Sequence, residues 1–170
     1  MSWKNTELSL RLVALLLIVG GVAGVGIALW TEIQLLISKG SGSGPAALFG
    51  VVAVIFGFST WVGIELWQRK PRAFKWAVPL LVAQLPNVSL PGFSYQFYTA
   101  LSCCVLWNQP NTTLGFEFEF ASAIRFLISR DIQEIIFGIN LVPIVALYLL
   151  GKAKERAAGP GLLVLDERSE

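Results

Sequence analysis

Glu117 and Glu119 are the residues of this chain whose type and spacing come nearest to chemistry. Two positions apart on an extended strand, their carboxyl groups share one face at roughly 7 Å, a separation used by acid–base carboxylate pairs. The surrounding run, Phe116-Glu-Phe-Glu-Phe120, also meets a plainer need. A half-buried strand places polar residues on its wet face, and charge there discourages edge-to-edge pairing. That account suffices, and no catalytic residue is assigned. The chain has no histidine, so the commonest general base and the commonest metal ligand are both missing. No metal site and no cofactor are expected. The two cysteines, Cys103 and Cys104, are neighbours. A dithiol relay needs separated pairs that can exchange, and bridging adjacent residues demands strained geometry, so two thiols are expected. The residue types point away from an enzyme.

Two amides, Gln84 and Asn140, stand inside apolar stretches and read as intramembrane polar residues. There they hydrogen-bond between helices, at about 0.6 to 2 kcal/mol each. Pro79, Pro86 and Pro143 lie close by in sequence, so the same amides also fit a solute path through broken helices.

The elements that must position these groups follow from composition. Of 170 residues, 55% are hydrophobic and 14% charged, with a mean hydropathy of +0.66. A bilayer is the expected solvent and partner. A net charge of +2 with basic residues at segment ends excludes a nucleic-acid surface. The expected fold is an α-helical integral membrane protein with four transmembrane helices, at about 12–30, 46–67, 76–90 and 132–150. Residues 1–156 form one membrane domain, and 157–170 form a flexible cytoplasmic tail. Gly20 and Gly24 in the first helix are spaced for close backbone approach. Residues 31–45 read as a loop. Glu65 precedes Arg69 by four positions, which predicts an ion pair along one helix face. Arg69, Lys70, Arg72 and Lys75 form the densest basic cluster. Under the positive-inside rule this cluster is cytoplasmic, as are both termini, in a bacterial inner membrane or a plasma membrane.

Between the third and fourth spans, about 93–128, the period changes to two. Phe93, Tyr95, Phe97 and Trp107 share one parity, as do Phe116, Phe118, Phe120 and Phe126, with Asn108-Gln-Pro-Asn-Thr-Thr113 as turn chemistry between them. This predicts a bent extracytoplasmic β-hairpin, or a small sheet of three or four strands, broken at Thr99-Ala100 and at Ala121-Ser122-Ala123. Those eight aromatics are the expected interaction surface. The function expected is a non-enzymatic interaction, assembly or accessory subunit, working as a homo-oligomer or with a membrane-protein partner. The alternative is an oligomeric small-solute channel or transporter subunit.

Overall fold

A computed structural model describes residues 3–39, 43–109, 113–129 and 135–158. Two long helices come first, α1 (Trp3–Lys39) and α2 (Ser43–Trp67). They pack as an antiparallel hairpin because glycines on α1 let α2 come close. A side chain at Gly24 would run into the Phe56 ring, and one at Gly21 would meet the Phe56 carbonyl at 2.6 Å. Ser59 of α2 donates to the Leu17 carbonyl at 3.3 Å, so even the polar residue between the helices is satisfied.

At the end of α2 the chain turns through Arg69, whose φ of 60° is left-handed. The expected Glu65–Arg69 pair therefore does not form, since Arg69 has left the helix on which the four-residue spacing holds. Arg69 pairs with Glu7 of α1, and buried Glu65 is held by Arg72, whose Nε lies 2.9 Å from each carboxylate oxygen. Helix α3 (Pro71–Ala83) starts on a proline, whose fixed φ suits a first helical position. Helix α4 (Leu141–Ala158) completes the bundle. Val13 and Leu17 of α1, Phe56 and Leu66 of α2, Leu81 of α3 and Leu150 of α4 form its shared core.

The four-span helical architecture is overturned. Among the described residues only two helices are long and apolar enough to cross a bilayer, Glu7–Gln34 within α1 and Phe49–Trp67 within α2. The third span, expected at 76–90, is the 13-residue α3 followed by strand β1 (Pro86–Leu90). About 20 residues are needed to cross. The fourth, expected at 132–150, contains strand β6 (Ile136–Asn140), and its helix begins only at Leu141. That helix carries Lys152, Lys154, Glu155 and Arg156 in its last two turns, so it lacks the necessary apolar length. The expected loop at 31–45 is largely helix, with 40–42 outside the described residues, as are 159–170 of the expected tail.

Strands β2 (Gly92–Tyr98), β3 (Ser102–Asn108), β4 (Thr113–Glu119) and β5 (Ala123–Ser129) join β1 and β6 in one six-stranded sheet. The order is β4-β3-β6-β1-β2-β5, and every neighbouring pair is antiparallel. The sheet is thus larger than a hairpin of three or four strands, and its centre is built from residues expected in helical spans. Pro86-Asn-Val-Ser-Leu90 alternates polar and apolar residues, a strand signal too short to stand out within an apolar run.

Candidate functional site: a curled sheet with an uncovered aromatic face

The long limbs 92–108 and 113–129 keep one register throughout. Asn108 pairs with Thr113 and Ser102 with Glu119; beyond a three-residue corner on each limb, Tyr98 pairs with Ala123 and Gly92 with Ser129. The central strands β1 and β6 sit between the two halves of this hairpin, which requires the sheet to curl. Laid flat, β4 and β5 would be about 24 Å apart at five strand spacings. Glu119 and Ala123 are joined by four steps of chain, which reach at most about 14 Å.

The direction of curl is set by Tyr98 of β2, whose hydroxyl donates to Glu119 of β4. Both belong to the polar parity, so the polar face is concave. It carries Asn87, Gln96, Tyr98, Ser102, Cys104, Glu117, Glu119 and Arg125. The Cys104 thiol is buried against the Ser102 hydroxyl at 3.2 Å, whereas Cys103 has the opposite parity, and both are free.

The convex face is aromatic, and the helices cover only half of it. Phe97 is buried against Phe56 of α2 with ring centroids 5.9 Å apart, and the Tyr95 hydroxyl donates to the Ala83 carbonyl at 2.7 Å. Phe93 lies on the same face, partly buried. Trp107 stacks on Phe137 at 6.0 Å, and Phe118 meets Phe120 edge-on at 4.7 Å. Phe116 is 81% exposed. Phe126 has this parity by its pairing with Tyr95, and its side chain is outside what the structure describes. Leu114, Phe137 and Ile139 extend the uncovered half and were missed in sequence. For Phe137 and Ile139 the signal was their alternation around Gly138; for Leu114 it was its parity with Phe116.

No family model, no curated protein and no solved structure matches this chain.

The two amides sit where helices become strands. Gln84, at the end of α3, accepts hydrogen bonds at Oε1 from the Thr99 amide at 3.3 Å and the Thr99 hydroxyl at 3.0 Å. Asn140 accepts at Oδ1 from the Cys103 amide at 3.1 Å and from the Val142 amide at 3.2 Å, which makes it the N-cap of α4. They tie the hairpin corner to the helices and do not link one helix to another. Gln84 also lines a cavity with room for about one water molecule. Glu119 is committed to Tyr98, and among the described residues no three metal-ligating side chains cluster.

Proposed function

We propose that this protein is a membrane-anchored, non-enzymatic assembly subunit, held in a bilayer by α1 and α2, whose uncovered aromatic half-face seats another protein. The observation that carries the reading is the combination of Leu114, Phe116 and Phe118 exposed on β4 with that strand's position at the sheet edge. Water is a poor neighbour for a contiguous patch of this kind. Lipid is a poor neighbour for an edge strand, whose unpaired amides and carbonyls find no partner in hydrocarbon. A protein surface serves both the side chains and the backbone.

Charge supports an orientation. Arg69 bonds to Glu7 and Arg11 lies over Trp67, so the start of α1 and the end of α2 share one end of the molecule, with Arg72 beside them. By the positive-inside rule that end is cytoplasmic and the sheet is directed away from it. The solute-channel reading rested on Gln84 and Asn140, and both amides use their side-chain oxygens at the hairpin corner.

Replacing Phe116 and Phe137 together by Ser tests the reading. In mild detergent, the doubly substituted protein is expected to sediment with a smaller assembled mass than the parent, at unchanged helix content. An unchanged assembled mass would overturn the proposal.

A further inference from the structure

The corner that joins the two halves of the hairpin does not rest on the end of a helix. It rests on the middle of the apolar stretch of α1. Ser122 donates to the Gly20 carbonyl at 2.6 Å, and a side chain at Gly20 would lie 2.6 Å from the Thr99 carbonyl carbon. Gly20 stands 13 residues from Glu7 and 14 from Gln34, the ends of the apolar stretch, so about 20 Å of helix lies on either side. If α1 crosses a bilayer, this contact is near the midplane.

A second observation concerns how the corner is hydrogen-bonded. Irregular backbone in water leaves its amides to the solvent, whereas in hydrocarbon every amide needs an internal partner. On the 99–101 limb of the corner the amide of Thr99 goes to Gln84, that of Ala100 to Ser122 at 3.0 Å, and that of Leu101 to the Thr99 carbonyl at 2.8 Å. Two side-chain oxygens are spent on backbone that a solvated turn would leave to water. On the outer side of the same corner Phe120 is 79% exposed, and Ala121 beside it is also exposed.

We infer that the β corner is inserted to mid-bilayer depth beside α1, with Phe120 and Ala121 against lipid acyl chains. This rests on the reading of α1 as a membrane-crossing helix. The corner is then a side-chain-capped bend that brings strand structure down to the level where α3 ends.

The test uses spin labels on the full chain, carrying Cys103→Ser and Cys104→Ser, in phosphatidylcholine–phosphatidylglycerol vesicles. Single cysteines replace Phe120, Val19, which is exposed on α1 one residue from Gly20, and Gln109, which is exposed at the far tip of the β3–β4 hairpin. Collision with oxygen reports lipid, and collision with a water-soluble nickel complex reports solvent. The label at 120 is expected to match that at 19, rich in oxygen collisions and shielded from nickel, while that at 109 shows several-fold more nickel contact. A nickel-accessible label at 120 beside a shielded one at 19 would overturn the inference and leave the membrane reading of α1 standing. Nickel access at both positions would overturn the two together. A melting curve on each labelled protein excludes a misfolded corner, and Ala121→Cys provides a second site on the same outer surface.

Discussion

Gly20 decides whether the hairpin corner can lie on α1 at all, because the atoms that a side chain there would strike are backbone atoms of Thr99 and Ala100. Backbone yields less readily than a side chain. Gly20→Ala is expected to lower the unfolding free energy by about 1–3 kcal/mol, as overpacking does. Gly26 has nothing within 4 Å, so Gly26→Ala is expected to be neutral or to gain about 0.5–1 kcal/mol from helix propensity. Denaturant titration of both variants in the same detergent checks the contrast. The sequence marks 20 and 24 as a close-approach pair, but they meet different elements, Gly20 the sheet corner and Gly24 the Phe56 ring of α2. Spacing reveals that something approaches, and only the tertiary fold reveals what.

At the scale of elements, Asn140 is where strand β6 hands over to helix α4. Asn140→Ala removes an N-cap and leaves the Cys103 amide without its partner, for a combined loss of about 2 kcal/mol or more. Amide exchange at Cys103 and Val142 should accelerate while the amides of the β2–β5 ladder keep their protection. The strands themselves differ in how readable they are. The alternation at 93–107 and 116–128 covers β2 to β5, and the small residues at Thr99-Ala100 and Ala121-Ser122 mark the corner, because period-two patterning over seven residues is hard to mistake. Strands β1 and β6 have five residues each and lie inside apolar runs, where a short strand and a helix segment look alike. Reading them as helix produced the four-span expectation. Nor does local sequence say that two distant short strands will wedge between the halves of a long hairpin, since that pairing belongs to the fold as a whole.

At the scale of the molecule, a curled sheet divides its surfaces by chemistry, polar and largely buried inside, aromatic and half uncovered outside. The eight aromatics legible in sequence do not form one surface of uniform exposure. Phe97 is spent on the protein's own core, and Phe116, Phe118 and Phe120 remain outside it. Which of them would be covered depended on where α2 lies against β2, and alternation alone carries no such information. The central claim is that the strand part of the uncovered half, Leu114, Phe116 and Phe118 on β4 with Phe137 on β6, meets protein, whereas Phe120 at the corner faces lipid. A photo-crosslinking residue at position 116, compared with one at 117 on the same strand but of opposite parity, tests it most directly in native membranes. The account predicts a discrete protein adduct from 116, reproducible in mass and much weaker from 117. Lipid adducts alone from 116, or equal protein adducts from both positions, would contradict it.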